Sequence, residues 1–148
     1  IGGGAAGLLA ASRAAQMGAS TLLLEKTSRL GAKLLLTGNG RCNLSNAAPL
    51  ETFLRAYGPA GVFLRNAFAR FFREDLLALL HQEGVPTVVE ADGRIFPAAG
   101  GAGAVLAALE RYLRAGGARV ALGQAAQGLW IERGRLRGVR LPAGPQPA

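Results

Sequence analysis

Three glycines near the start of the chain have the spacing of a dinucleotide-binding turn. The sequence opens with IGGGAAG, in which Gly2, Gly4 and Gly7 form a G-x-G-x-x-G pattern between a strand end and a helical stretch. Gly2 permits a tight turn, Gly4 permits the backbone to approach a pyrophosphate, and Gly7 permits the helix to pack on the strand. The amides that open the helix would then face the phosphates, where the helix dipole favours negative charge.

An acidic residue follows this turn at the spacing that recognition of a ribose requires. Glu25 lies at the end of the apolar run STLLLEK, residues 20–26. A carboxylate there accepts hydrogen bonds from both hydroxyls of an adenosine ribose and repels a 2′-phosphate, so FAD or NAD fits better than NADP. The alternative is a glycine-rich turn followed by a solvated glutamate.

The segment TGNGRCNLSN, residues 37–46, is unusual for a surface loop. Its glycines permit close backbone approach to a ligand, and the amides of Asn39 and Asn43 offer hydrogen bonds without adding charge. Cys42 stands beside Arg41, an arrangement that lowers the pKa of redox-active thiols. The chain lacks the second cysteine of a disulfide relay, so we interpret Cys42 as a small packing residue.

The hydrophobic periodicity of the remaining sequence predicts the helices and strands that position these residues. We expect helices and strands in this order: a helix ending at Gly18, a strand at 20–26, helices within 50–83, a β-like segment at 85–97 with a turn at Asp92-Gly93, a helix at 103–117, and strands at 118–122 and 128–141, the last a hairpin around Gly134. An apolar stripe from Phe63 to Phe72 is expected in the core. This order is typical of an α/β, Rossmann-like FAD/NAD(P)-binding domain with a parallel sheet, flanking helices and a β-meander, here incomplete.

The composition argues against a nucleic-acid-binding protein and against a membrane-spanning one. The 148 residues carry a net charge of +8, from 17 Lys+Arg against 9 Asp+Glu, but the arginines are dispersed and no basic patch with interleaved aromatics is present, so we expect no nucleic-acid partner. No apolar run reaches the roughly 18 residues of a membrane span. The single cysteine excludes an internal disulfide framework, and a reducing cytoplasm is the default expectation. The sequence does not indicate an oligomeric state.

Several motifs together resemble one bacterial family. GGGAAG, the pair Glu25-Lys26, the G-x-K-LLLTGNGRCNLSN segment and E-x-x-GRIFP are similar to the N-terminal portion of the BaiN/RdsA-like (YhiN-like, aminoacetone-oxidase-like) NAD(P)/FAD-dependent oxidoreductases. The resemblance implies a discontinuous FAD-binding domain with an inserted substrate domain. Residues 1–141 would be its N-terminal part, and the Pro- and Gly-rich residues 142–148 a linker toward the insertion.

The resemblance also implies a set of cofactor-binding residues. They are Gly2, Gly4, Ala5, Ala6, Gly7, Glu25, Lys26, Lys33, Gly38, Asn39, Gly40, Arg41, Cys42, Asn43 and Ala126. The first turn would bind the diphosphate, Glu25 the ribose, and the two lysines would lie near the adenosine or the phosphates. The loop from Gly38 to Asn43 would pass along the flavin, where Arg41 would offset negative charge. Ala126 would contact the adenine through its backbone.

The function expected from this resemblance is hydride or two-electron transfer between a small organic substrate and FAD. NAD(P)H is a possible electron donor, and the catalytic residues are not identifiable in this part of the chain. Two alternatives remain open at this stage. The chain is compatible with a Rossmann dehydrogenase that uses NAD alone, and with a non-catalytic flavin- or nucleotide-binding module.

Overall fold

The computed structural model describes residues 1–147. The α-helices are Ala5–Gln16 (α1), Leu50–Arg55 (α2), Gly61–Phe68 (α3), Arg73–Gln82 (α4) and Gly101–Ala115 (α5). The β-strands are Leu22–Leu24 (β1), Ser45–Asn46 (β2), Thr87–Val89 (β3), Arg94–Pro97 (β4), Arg119–Ala121 (β5), Gly128–Glu132 (β6), Arg135–Leu141 (β7) and Gly144–Pro147 (β8). Short 3₁₀ segments occupy Leu34–Gly40 and Gly58–Ala60. Among these helices, none has the length and apolar character needed to cross a membrane.

The described residues form two compact units. Residues 1–33 and 110–147 make up the first unit, and residues 34–109 make up the second, so that the boundary falls within α5. The sequence-based interpretation treated residues 1–141 as one continuous part of a discontinuous domain and did not anticipate this division.

The first unit contains the predicted strand–helix–strand arrangement. β1 and β5 pair in parallel, with Leu23 opposite Val120, and α1 packs against β1. Leu8 of α1 and Leu23 are buried, because apolar side chains of the helix and strand cover each other. Ser12 is fully buried as well, and its hydroxyl donates to the Leu8 carbonyl at 2.7 Å, which satisfies its hydrogen-bonding requirement.

An antiparallel meander of β6, β7 and β8 completes the first unit. β6 and β7 form the predicted hairpin, and its turn residues Arg133 and Gly134 both have positive φ, of 49° and 73°, as a type I′ turn requires. The linker interpretation of residues 142–148 does not describe Gly144–Pro147, which pair with β7 as an edge strand. Prolines are compatible with an edge strand, and a Cβ at Gly138 of β7 would collide with the Gln146 carbonyl, so glycine there permits the pairing. The last linker residue, Ala148, lies outside the described residues.

The second unit combines short helices with a small antiparallel sheet. The sheet has the order β2-β4-β3, and Gly93 with φ of 82° confirms the predicted turn at Asp92-Gly93. α4 begins after Phe72, whose N–H donates to the Asp75 carboxylate at 2.8 Å. Ile95 and Phe96 of β4 are buried and form part of the core of this unit.

The apolar stripe predicted between Phe63 and Phe72 is wrong in part. The side chain of Phe63 is 86% exposed and that of Phe71 is 42% exposed. Phe63 lies on an exposed face of α3, and Phe71 lies between the end of α3 at Phe68 and the start of α4 at Arg73, where helical spacing does not apply. Phe68 and Phe72 do pack as predicted, with ring centroids 5.0 Å apart and Phe53 against both.

Candidate dinucleotide-binding site

Gly2, Gly4 and Gly7 of the first turn are each favoured as glycine for a different structural reason. Gly2 has φ of +95°, which disfavours any side chain, and its N–H donates to the Leu24 carbonyl at 2.7 Å. A Cβ at Gly7 would collide with the Gly2 carbonyl oxygen, so this glycine permits α1 to pack closely on the turn. A Cβ at Gly4 would meet nothing within 4 Å, so the backbone here faces open space that a ligand can enter.

The start of α1 is suited to an anion. Gly4 is the N-cap residue, no side chain caps the helix, and no acidic residue lies in the first turn. The N–H of Leu8 donates to the Gly4 carbonyl at 2.9 Å and makes the first bond of the helix. The preceding amides, which include those of Ala5 and Ala6, therefore have no partner within the helix and stand at its positive end.

Glu25 is fixed at this turn by two backbone groups. Its Oε2 accepts a hydrogen bond from the Gly3 N–H at 2.6 Å, and its Oε1 accepts one from the Thr27 N–H at 2.8 Å. These bonds from Thr27 and Gly3 hold the pKa of the carboxyl below its ordinary value, so it is ionised at neutral pH. A carboxylate has about four acceptor positions, so each oxygen retains capacity for a ribose hydroxyl.

The loop after β5 runs beside the end of β1. The Gln124 N–H donates to the Glu25 carbonyl at 2.8 Å, and the Gly123 N–H donates to the Thr27 carbonyl at 2.9 Å. Ala126 lies in this loop and is half-buried, and its assignment to the adenine stays a prediction. The sequence analysis missed Gly3 and Thr27 as the donors to Glu25, although the three consecutive glycines were a signal for the first of them.

The two lysines of the predicted set are exposed. Lys26 follows Glu25 directly, and its charge contributes to lowering the pKa of that carboxyl. Lys33 ends the N-terminal segment of the first unit. Their assignment to the adenosine or the phosphates stays a prediction.

The second unit contains the loop that includes Gly38 to Asn43. Gly38, Asn39, Gly40 and Cys42 all have positive φ, of 57°, 54°, 85° and 64°. Such a run of left-handed residues is rare, and asparagine is among the non-glycine residues that tolerate it best. The Asn39 and Asn43 side chains are exposed, so their amides are accessible to a ligand.

Cys42 is a packing residue, as interpreted. Its side chain is 1% exposed, and burial raises the pKa of the thiol. The alternative of a thiol activated by Arg41 is not supported by this environment, because a raised pKa leaves less thiolate at neutral pH.

Arg41 does not project freely from the loop. Its guanidinium lies 4.1 Å from the centroid of the Phe96 ring and forms an ion pair with Glu90. Glu90 already neutralises the charge of Arg41. This ion pair argues against the expectation that Arg41 offsets the charge of a phosphate or a reduced flavin. Glu90 and Phe96 belong to the E-x-x-GRIFP motif, and their link to Arg41 was not found from the sequence.

We expect the contribution of Glu25 to stability to depend on pH. Its folded-state pKa is lowered, so its stabilisation is present above the ordinary glutamate pKa and is lost as the pH falls through the folded-state pKa. Glu25→Gln should lower the melting temperature at neutral pH, and the difference from the native chain should shrink below about pH 4. Thermal unfolding at a series of pH values measures this. Glu132→Gln, on the surface of β6, is the control, and a difference that stays constant with pH would contradict the prediction.

We expect the thiol of Cys42 to be unreactive in the folded protein. Burial and a raised pKa should make its reaction with a chromogenic disulfide reagent at least about tenfold slower than in the urea-unfolded chain. Absorbance of the released thiolate measures both rates. Rapid stoichiometric labelling of the folded protein would show that the loop does not bury this side chain.

Comparison with known protein families agrees with the Rossmann-like fold. Residues 1–144 match the HI0933-like protein Rossmann domain. Among solved structures, the 3-ketosteroid-Δ4-(5α)-dehydrogenase of Rhodococcus jostii RHA1, in complex with 4-androstene-3,17-dione, is similar with a TM-score of 0.63 and 20% identity, over 95% of this chain and 40% of that one. THI4 of Thermovibrio ammonificans is similar with a TM-score of 0.62 and 16% identity, over 95% of this chain and 44% of that one.

Curated relatives are similar in sequence over most of the chain. The 3-dehydro-bile acid Δ(4,6)-reductase of Clostridium scindens is 38% identical over 116 residues, 77% of this chain and 28% of the relative. The ribosomal RNA dihydrouridine synthases of Escherichia coli and Haemophilus influenzae are 32% and 30% identical, each over 65% of this chain and over 24% and 23% of the relative. The chain thus spans about a quarter of the length of these relatives. It belongs to the HI0933-like family, and it carries the Rossmann domain of that family.

Proposed function

We propose that this chain is the FAD-binding part of an enzyme that transfers two electrons between FAD and an organic substrate. The observation that carries the proposal is the Glu25 carboxylate, held by the N–H groups of Gly3 and Thr27 at 2.6 and 2.8 Å. A carboxylate fixed in this way would offer an acceptor to a ribose, and the uncapped start of α1 would suit a diphosphate. FAD fits both features, and Glu25 disfavours a 2′-phosphate by charge repulsion.

The first unit would bind the adenosine diphosphate part of FAD. The amides of Gly4, Ala5, Ala6 and Gly7 would donate to the phosphates, and Gly2 would shape the turn that aims them. Glu25 would accept from the ribose hydroxyls, and Ala126 would contact the adenine through its backbone. Lys26 and Lys33 would supply positive charge near the adenosine or the phosphates.

The second unit would contribute the loop that contacts the flavin ring. The amides of Asn39 and Asn43 are exposed and match the hydrogen-bonding edge of an isoalloxazine. Gly38 and Gly40 would permit close approach of the backbone, and Cys42 would anchor the loop from within the core. Bound FAD supplies the two-electron chemistry itself, and these residues bind and orient it.

The names of the similar proteins support a substrate class. A 3-dehydro-bile acid with Δ4 and Δ6 double bonds, a 3-ketosteroid with a Δ4 double bond, and uridine all hold a carbon–carbon double bond conjugated to a carbonyl. We propose that this protein reduces such a bond in a small molecule. The product gains a hydride at the carbon β to the carbonyl and a proton at the α carbon. NAD(P)H is the proposed source of the electrons.

A uridine within ribosomal RNA is the second candidate substrate. Two relatives carry that activity in their names, and the net charge of +8 suits an anionic partner. The sequence analysis expected no nucleic-acid partner because the basic residues are dispersed. The small molecule stays the first proposal because the bile acid reductase is more similar, at 38% identity over a longer stretch.

The organisation of the whole protein is part of the proposal. Residues 1–141 would be the N-terminal part of a discontinuous FAD-binding domain, followed by a substrate domain. Cys42 is a free, buried thiol, which suits a reducing compartment such as the bacterial cytoplasm.

The proposed cofactor site is tested by FAD retention. We expect the purified whole protein to release FAD on denaturation, and Glu25→Ala to weaken FAD binding at least about tenfold through loss of charged hydrogen bonds. Cys42→Ser should weaken it less, because that side chain faces the core and not the ligand. Titration monitored by flavin fluorescence measures both variants. Equal retention of FAD by Glu25→Ala and Cys42→Ser would overturn the assignment.

The substrate class is tested by turnover. The whole protein with FAD and NAD(P)H should consume a 3-oxo-Δ4 or Δ4,6 steroid acid, seen as loss of the conjugated-ketone absorbance. Ribosomal RNA lacking dihydrouridine is the parallel substrate, and mass spectrometry of its nucleosides detects a gain of two hydrogens. Reduction of the RNA alone would favour the second candidate. NAD(P)H oxidation with neither substrate consumed would contradict both.

A further inference from the structure

The two family motifs of the second unit form one structural assembly. β2, which ends TGNGRCNLSN, pairs antiparallel with β4, which contains GRIFP, with Ser45 opposite Ile95. The Leu44 N–H donates to the Ile95 carbonyl at 2.8 Å, and the Ala47 N–H donates to the Gly93 carbonyl at 2.7 Å. The C-terminal end of the loop is therefore fastened to the sheet by backbone hydrogen bonds.

The earlier part of the loop is fastened differently. The Arg41 N–H donates to the Gly38 carbonyl and the Cys42 N–H to the Thr37 carbonyl, both at 3.0 Å, so these backbone bonds stay within the loop. Asn39 and Cys42 have positive φ, which is unfavourable for residues with a Cβ. This conformation requires contacts to the rest of the unit, and the buried Cys42 side chain supplies one of them.

Arg41 supplies a further contact through its side chain. Its guanidinium lies over the Phe96 ring, 4.1 Å from the centroid, and pairs with Oε1 of Glu90. The other carboxylate oxygen of Glu90 lies 3.5 Å from Nη2 of Arg94, which also pairs with Asp92 at 2.6 Å. Two arginines and two carboxylates balance one another here, so this cluster is not a receptor for an anionic ligand.

We propose that Glu90 is a positioning residue that clamps Arg41 onto Phe96 and thereby holds the loop in its left-handed conformation. The inference rests on the proposed function, since the loop is the part that would present Asn39 and Asn43 to the flavin. In this arrangement Arg41 acts on the loop and not directly on the charge of the cofactor. The E-x-x-GRIFP motif thus supports the loop with two side chains, Glu90 and Phe96.

A double-mutant cycle in the whole protein separates the clamp from a direct role of Arg41. Arg41→Met and Glu90→Gln should each weaken FAD binding about threefold to tenfold, and the double variant should bind no more weakly than the weaker single one. Both single variants should change the visible absorption band of the bound flavin in the same way, because both release the same loop. Titration and absorbance spectra measure these effects.

A second ion pair in the same unit provides the matched control. Arg65 of α3 and Glu51 of α2 form an exposed pair with two hydrogen bonds of 2.7 and 2.8 Å. Arg65→Met and Glu51→Gln should leave FAD affinity and the flavin spectrum unchanged. A loss of affinity equal to that of Glu90→Gln would show only general destabilisation and would overturn the clamp.

Hydrogen exchange of residues 37–43 in cofactor-free protein tests the clamp without relying on FAD. Glu90→Gln should accelerate exchange in this loop several-fold, and Glu51→Gln should not. Faster exchange in a protein that binds no FAD would support the clamp and overturn the proposed function. Native FAD binding by Glu90→Gln with a loss confined to Arg41→Met would overturn the clamp, as would additive losses in the double variant or unchanged exchange.

Discussion

The candidate site depends on the Glu25 carboxylate, which accepts hydrogen bonds from the backbone N–H groups of Gly3 and Thr27. Gly3 belongs to the first turn and Thr27 follows β1, so a single side chain ties the two segments of the strand–helix–strand unit together. The charge that makes these hydrogen bonds strong is also the charge that, in the proposed function, would select a ribose with free hydroxyls. The same carboxylate that supports the structure would then also recognise the ligand.

In the second unit, the loop that includes Gly38 to Asn43 must be held in an unfavourable backbone conformation. A loop with several left-handed residues exposes amides well, but its backbone conformation is unfavourable. The cost is offset by burial of Cys42, by the pairing of β2 with β4, and by the contact of Arg41 with Phe96 and Glu90. The two motifs that carry the family resemblance in this region are parts of the same assembly, which gives their joint occurrence a structural reason.

Much of the fold follows from local patterns. The glycine turn, α1 and β1 were predictable because each is decided by residues close in sequence: positive φ at Gly2, helical spacing of small apolar residues, and a run of leucines. The Asp92-Gly93 turn and the hairpin at Gly134 follow from the same local chemistry. The predicted apolar stripe failed at Phe63 and Phe71 because residue type and helical spacing do not determine which face of a short helix the rest of the chain covers.

Residue types and spacing already indicated a turn that can face a diphosphate, a carboxylate at the spacing of a ribose acceptor, and a loop rich in glycine and amides. The groups that complete each feature are visible only in the folded chain. One donor to Glu25, the Gly3 N–H, comes from a turn 22 residues away, and the partner of Arg41 lies 49 residues along the chain. Gly144–Pro147 form an edge strand because they pair with β7. These contacts join residues that are far apart in the sequence, so local sequence patterns do not predict them.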